Sequence, residues 1–343
     1  MPELRVGIGR QMFPALRPQT RVVISLLVAW CFVVSGAAAS CKAGEESQDD
    51  GQVVARVGDV PIFQSEIERQ LTRVLRDREP SAEALYELRA KATEQLVKRQ
   101  LVLLYLAKKK LGAIQAEVAL AEKRVVAELE QQGLTLDEFL AKTKSNRAVF
   151  QRTLAWQIGW PKYLRQYNTD ENLERFFRRQ PHEFDGSKFH VAHIVWQAKS
   201  EDSEVIAGVV AKAENVRKAI DAGDISFAAA AEKHSQSPTA SKGGDIGWIR
   251  RREPMPESFS QAAFKLSEGR VSPPVVSAVG VHLIHCIEIK KGEKTWQQSR
   301  GEITAAATVF LFDWVARQQL SETKLQYTGV MSYYDKEGKR IDP

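Results

Sequence analysis

The stretch FHVAHIVW (189–196), answered by GVHLIHCIEIKK (280–291), decides how this chain is read. Both runs are apolar and rich in β-branched residues, so both read as buried strands, each with a histidine inside it: His193 and His282. Between them the period changes. Glu204 to Asp221 carries Val205, Val209, Val216 and Ile220 at helical spacing, and Gly223 supplies a stop. Ser226 to Lys233 reads as a short Ala-rich helix, and Pro256 to Leu266 places Phe259, Ala262, Ala263 and Leu266 on one helical face. Gly243-Gly244-Asp245 and Gly247 predict a tight turn, because glycine reaches positive φ without steric cost. The residues give strand, helix, helix, turn, helix, strand, strand: a compact α+β unit of about a hundred residues.

Several spaced motifs run through this unit. AHIV in the first strand is followed by FAAAAEKHS and SKGGDIGW. Then comes Met255-x-x-x-Phe259-x-x-Ala-x-Phe-x-Leu-x-x-Gly-x-Val-Ser272-x-Pro274-Val, closing on Gly280-Val-His282-Leu-Ile. In these motifs the unit resembles the parvulins, the smallest class of peptidyl-prolyl cis-trans isomerase. The resemblance implies a four-stranded antiparallel sheet with surrounding helices. It implies a catalytic site at His193, Ser237, His282 and Ser277, and a proline slot at Ile246, Met255 and Phe259. It also implies chemistry with no cofactor and no metal. The sequence departs from the family at Ser237, where parvulins have Asp or Cys. Serine carries a hydroxyl but no charge at neutral pH, which puts the rate in question and not the fold. Ser277 stands where Thr is common, and Ile246 where Leu is usual.

Other chemistries find little support. There is no Gly-x-Ser-x-Gly elbow, so a hydrolase built on Ser237 with His234 or His282 would need separate assembly. His182, His190 and His193 match no standard metal spacing, and His190 and His193 fall on opposite faces of a strand. Cys286 lies four residues beyond His282, about 13 Å along a regular strand, which excludes a Cys–His couple and leaves a core residue. The loop QAKSEDSE (197–204) is acidic where phosphate-directed parvulins carry arginines, so phosphoserine-proline substrates are not expected.

Working outward, the 343-residue chain has room for two domains. Arg5, Arg10, Arg17 and Arg21 precede an apolar run from Val22 to Val34 and a small-residue stretch, Gly36 to Ser40. That is the pattern of an export signal. Ala38-Ala39-Ser40-Cys41 resembles a bacterial lipobox, which implies lipidation at Cys41. An ordinary secretory cleavage after Ala39 and an uncleaved anchor stay open, the latter with an apolar run short for a span. Residues 1–40 hold four Arg and one Glu, +3 of the formal +6, so the remainder carries about +3. With no basic stripe interleaved with aromatics, nucleic acid is not an expected partner. Of three cysteines only Cys286 lies in the folded body, so no internal disulfide is expected if Cys41 is lipidated.

KAGEESQDDGQ (42–52) reads as a flexible tether. Val53–Val57 and Val60–Ile62 read as a hairpin around Gly58-Asp59, and Ser65-x-x-Glu68 as a capping box. A helical stretch runs from Ser81 to Tyr167, with a second box at Thr135-x-x-Glu138 and an apolar pattern that continues until Pro161. VVARVGDVPIFQSEIERQL and DENLERFFRRQPHEF resemble the chaperone region of the exported SurA and PrsA foldases. In that family a segment after the isomerase packs back on the N-terminal helices. Here Gln297 to Thr323, with Ile303, Val309, Phe310, Phe312 and Val315, is expected to do so, and 324–328 to add a strand to the hairpin.

The expected organisation is a signal peptide (1–40), a tether (41–52) and a helical chaperone domain (53–186). A parvulin domain (187–290), a completing segment (291–328) and a polar tail (329–343) follow. The expected function is prolyl isomerisation and chaperoning of unfolded exported polypeptides with X-Pro bonds. The expected location is the cell envelope or periplasm, on a membrane through a lipid anchor. The alternative is a non-catalytic holdase whose isomerase unit binds peptide without turnover.

Overall fold

The structure, a computed structural model, describes residues 51–76, 78–197, 203–252, 255–336 and 338–343. The signal segment, Cys41 and most of the tether lie outside the described residues, as do residues 198–202 of the acidic loop.

The chain opens on a hairpin, β1 (Val53–Val57) and β2 (Val60–Phe63), closed by a two-residue loop in which Gly58 takes φ +60°. The helices α1 (Gln64–Leu75), α2 (Ala82–Lys108), α3 (Gln115–Gln131), α4 (Leu136–Lys142), α5 (Arg147–Tyr167) and α6 (Asp170–Arg179) follow. The Thr135–Glu138 capping box forms as expected: Glu138 N–H donates to Thr135 Oγ1 (3.2 Å), and Thr135 N–H donates to the Glu138 carboxylate (2.8 Å). The first box does not. Helix α1 starts two residues earlier than read, with Phe63 as N-cap donating its N–H to Glu66 (3.1 Å), while Glu68 pairs instead with Arg89 on α2. Helix α5 also runs on through Pro161. Its far end is carried by a ladder of rings, Trp156 on Trp160 (5.4 Å), Trp160 on Tyr163 (5.5 Å) and Tyr163 on Tyr167 (4.4 Å), which offsets the missing N–H.

After β3 (Lys188–Trp196) come α7 (Ser203–Ala222), α8 (Phe227–His234), β4 (Asp245–Arg250), α9 (Glu257–Ala263), β5 (Val275–Ser277) and β6 (Gly280–Lys290). The four strands form one antiparallel sheet in the order β4-β3-β6-β5. Asp245–Arg250, which begins inside the expected turn, is a strand that holds Gly247 at φ +81° within it; three glycines between 243 and 247 hid the strand signal. One sheet face packs Ala192, Ile194, Trp196 and Leu283 against Phe227 and Ala230 of α8 and Ala213 of α7. The other packs Phe189, Val191, Ile284 and Cys286 against Phe259 and Ala263 of α9.

The chain then returns to its start. Helix α10 (Arg300–Leu320) buries Ile303, Ala307 and Val315, and β7 (Leu325–Tyr327) pairs antiparallel with β1, Ala55 opposite Tyr327. One core therefore contains Val54, Val57, Leu101 and Trp160 together with Val315 and Met331 from the far end of the chain. Val309 and Phe310, expected on the packed face, are more than half exposed, because the buried stripe of α10 runs through 303, 307 and 315. The segment read as a polar tail is docked. Met331 and Ser332 are buried, Thr93 Oγ1 donates to the Ser332 carbonyl (3.2 Å), and Tyr334 donates to Glu87 (2.7 Å) beside the short pair β8 (Tyr333–Tyr334) and β9 (Arg340–Ile341). No helix among the described residues is long and apolar enough to cross a membrane.

Candidate functional site

The site forms where β3 and β6 pair. Val195 lies opposite His282 and His193 opposite Ile284, so the two histidines are diagonal neighbours on one face. Their rings are near parallel (22°) with centroids 5.7 Å apart. Phe259 of α9 meets both edge-to-face, 5.8 Å from His193 and 5.4 Å from His282. Ile246 and Met255, each partly exposed, pack on the same apolar cluster. Phe259 itself is fully buried, so it is the floor of the site and not its rim.

Two glycines allow this close packing. Gly244 holds φ +81° beside β3, where its carbonyl accepts the His193 N–H (2.9 Å); a Cβ there would sit 2.4 Å from the His193 carbonyl oxygen. Gly280 holds φ +142°, and a Cβ would sit 2.2 Å from the Trp196 carbonyl oxygen. The loop after α8 is clipped to the same strand. Val195 N–H donates to Ser235 Oγ (3.1 Å), and Gln236 N–H donates to the Val195 carbonyl (2.8 Å).

Each imidazole ends on a serine. His193 Nε2 lies 2.9 Å from Ser237 Oγ, and His282 Nε2 lies 2.7 Å from Ser277 Oγ. Ser237 Oγ also accepts the Thr239 N–H (3.2 Å) and lies 3.0 Å from Thr239 Oγ1. Ser277 Oγ accepts the Val279 N–H (3.1 Å) and reaches the Gly280 carbonyl (3.4 Å). Both Nδ1 atoms are buried without a partner. A proton there would be a buried, unpaired N–H, which is costly, so the Nε2–H tautomer is assigned to both rings. Each serine then accepts twice and donates once, to Thr239 Oγ1 or the Gly280 carbonyl, and its hydroxyl is fully occupied.

Burial lowers the pKa of His193. Burial first, then the charge His193 would carry, lowers that of His282 to about 4. Both rings are neutral at neutral pH. Ser237 and His193 do form a serine–histidine contact, but no carboxylate backs His193 Nδ1, so the orienting third member of a hydrolytic triad is missing among the described residues. The Cys286 thiol is pushed up to about 11 by burial and then by Glu268, and is inert. His182 Nδ1 lies 2.9 Å from Ser187 Oγ and His190 Nε2 lies 2.9 Å from Asp245, two separate settings. Among the described residues no group of three His, Cys, Asp or Glu is placed to hold a metal.

The structure thus brings together His193, His282, Phe259, Ser237 and Ser277, with Ile246 and Met255 on the same cluster. It adds Thr239, which the sequence reading missed; the signal was the Ser-x-Thr spacing, which suits a local hydroxyl turn.

The PPIC-type PPIase domain family matches residues 193–288, from the first histidine of the pair to just past the second. The chain carries a PPIC-type PPIase domain. A SurA-like N-terminal domain matches residues 12–155, ahead of it. Among curated proteins the chain is similar to the chaperone SurA of Aromatoleum aromaticum, 28% identical over 46% of this chain and 36% of that one. It is also similar to the chaperone SurA of Xanthomonas campestris pv. campestris, 25% identical over 78% of this chain and 59% of that one. The chain spans between about a third and three-fifths of the length of these curated relatives. Among solved structures, a PpiC-type peptidyl-prolyl cis-trans isomerase domain is 28% identical, covering 32% of this chain and 96% of that one, with a TM-score of 0.29. PrsA from Bacillus anthracis is 19% identical over 66% of this chain and 95% of that one, with a TM-score of 0.34. Within the PPIase domain the two serines sit behind the imidazoles, where they fix ring tautomer and orientation.

Proposed function

We propose that the chain is an exported foldase that isomerises X-Pro bonds in unfolded polypeptides and holds those polypeptides on its helical region. The observation that carries the reading is the His193–His282 pair, neutral, buried and floored by Phe259, inside a PPIC-type PPIase domain. Rotation about an X-Pro bond faces a barrier of about 18–20 kcal/mol, yet the isomers differ by only about 0.5–1 kcal/mol. No bond need break; the site must bind the twisted amide better than either planar form. A twisted amide has lost conjugation and much of its polarity, so a desolvated surface of neutral rings suits it better than water does. Ile246 and Met255, the partly exposed apolar members, supply the seat for the proline ring.

Ser237 and Ser277 act in this reading through the histidines. Their hydroxyls are engaged with Nε2 and backbone, so they position rings and do not touch the amide. Export rests on the signal pattern of residues 1–40, and membrane attachment on lipidation of Cys41.

A second reading, binding without turnover, is favoured by one observation: Ser237 offers neither a charge nor a spare hydrogen bond where parvulins have Asp or Cys. Isomerisation of a short X-Pro peptide, followed by NMR exchange, separates the two when run beside aggregation suppression of an unfolded protein. Exchange catalysed by wild type and lost in His282→Ala supports the isomerase. Suppression without exchange supports the second reading.

A further inference from the structure

Arg251, just past the end of β4, ties three parts of the molecule together. Its two terminal nitrogens donate to the two oxygens of Glu257, the first residue of α9 (3.0 and 2.7 Å), and its Nε donates to Glu183 in the helical turn Pro181–Glu183. The planar fork of a guanidinium matches a carboxylate with two parallel hydrogen bonds, and here its third edge is used as well.

The turn at Glu183 is anchored in the helical region. Phe184, the next residue, is buried with Leu173 of α6 and with Ile303 and Ala307 of α10, and its carbonyl accepts the Ser299 hydroxyl (2.7 Å). The Arg251 and Glu183 side chains are only 14% and 13% exposed, and the second oxygen of Glu183 is buried with no hydrogen-bond partner. A carboxylate so sheltered needs its cation, because removing one partner leaves an uncompensated charge. The neighbouring pair Arg252–Glu302 (3.3 Å) also reaches α10, but it is open to water and holds little.

The other arm of the bridge ends at the proline seat. Phe259 and Ala263 of α9 are fully buried, so core packing alone seats the body of that helix. Met255 stands two residues ahead of Glu257, is only partly buried, and has an unbranched side chain that packing alone holds loosely. We propose that Arg251 is a positioning residue for this seat: it fixes the entry to α9 against the Pro181–Glu183 turn, and so makes the placement of Met255 depend on the helical region. The role rests on the proline seat of the proposed function and not on turnover there.

The test uses the full chain with labelled methionine methyls, titrated with a short Ala-Pro peptide and followed by NMR at Met255. Arg251→Gln is expected to weaken peptide binding about tenfold, and Glu257→Gln and Glu183→Gln several-fold each. Arg251→Gln combined with Glu257→Gln is expected to bind no more weakly than Arg251→Gln alone, since both remove one bridge. Arg251→Lys is expected to restore part of the affinity, because an ammonium lacks the fork that grips both carboxylates. If Arg251→Gln does not fold, Glu257→Gln, an exposed change, carries the test. A merely structural bridge would lower the denaturant midpoint and leave the Kd of folded variants unchanged; that result overturns the proposal. So does weakened binding in Glu257→Gln with wild-type binding in Glu183→Gln, and so does a wild type that does not bind the peptide at all. X-Pro exchange is read in the same samples: wild-type binding without exchange contradicts the isomerase reading, while the ranking of the variants still decides the role of Arg251.

Discussion

His193 and His282 sit on neighbouring strands two register positions apart, rings near parallel at 5.7 Å, and neither Nδ1 finds a hydrogen-bond partner. The pair is held from outside by Ser237 and Ser277 and from below by Phe259. The site is therefore apolar in charge but rich in fixed dipoles, and its behaviour under perturbation follows from that.

The first consequence is pH dependence. The unfolded chain protonates His282 near 6.5, the folded chain only near 4. Between these values the unfolded state binds more protons, so stability is full above about 6.5 and falls as pH drops towards 4. His193, also lowered by burial, adds to the same trend. Each ring contributes at most about 1.4 kcal/mol per pH unit in that window. Urea unfolding at pH 7, 6 and 5 reads the slope, and His282→Phe is expected to flatten it.

The second concerns Ser237. Removing its hydroxyl leaves His193 Nε2–H and the Thr239 N–H without their acceptor, at a cost of about 1–3 kcal/mol. With the Ser237 hydroxyl bonded to His193 and Thr239, the proposed positioning role predicts that Ser237→Ala lowers kcat while leaving KM near wild type. Thr239→Val is expected to give a smaller effect in the same direction. A rise in KM with kcat unchanged would place Ser237 against the substrate.

The third concerns the two strained glycines. Gly244→Ala and Gly280→Ala each force a Cβ into a neighbouring carbonyl and into a backbone region that L-residues avoid. Each is expected to cost more than about 3 kcal/mol, or to prevent folding of the PPIase domain. Gly269→Ala, at φ +75° with open space around it, is the control and is expected to cost about 1 kcal/mol. Denaturant midpoints of the three variants rank them.

These sites differ in how far the sequence announced them. His193 and His282 stood inside two clear strand patterns, and the motif spacing around Met255 and Phe259 pointed to one apolar cluster. Strand β4 was obscured because Gly244 and Gly247 carry its geometry, and glycine has no side chain to give an alternating pattern. Phe310 and Val309 look like core by type alone; only the phase of α10, set by Ile303, Ala307 and Val315, turns them outward. Thr239 was signalled only by its short Ser-x-Thr spacing to Ser237, whereas the docking of Met331 and Tyr334 on α2 depends on partners distant along the chain, which a local pattern does not reveal.

The fourth prediction follows from that docking. Truncation after Leu320 removes β7 and Met331 from a core built by both chain ends. The helical region is expected to lose several kcal/mol, and the PPIase domain, whose two apolar faces contain no residue beyond 290, is expected to melt as before. Calorimetry of the truncated chain separates the two transitions.

The most direct measurement of the central claim is proline-limited refolding of a model protein, a phase of tens of seconds without catalyst, by the full chain beside His282→Ala and Ser237→Ala. The account predicts acceleration by wild type, a reduced rate with Ser237→Ala, and loss of acceleration with a folded His282→Ala. Refolding that is unchanged by wild type, or equally accelerated by wild type and His282→Ala, would contradict it.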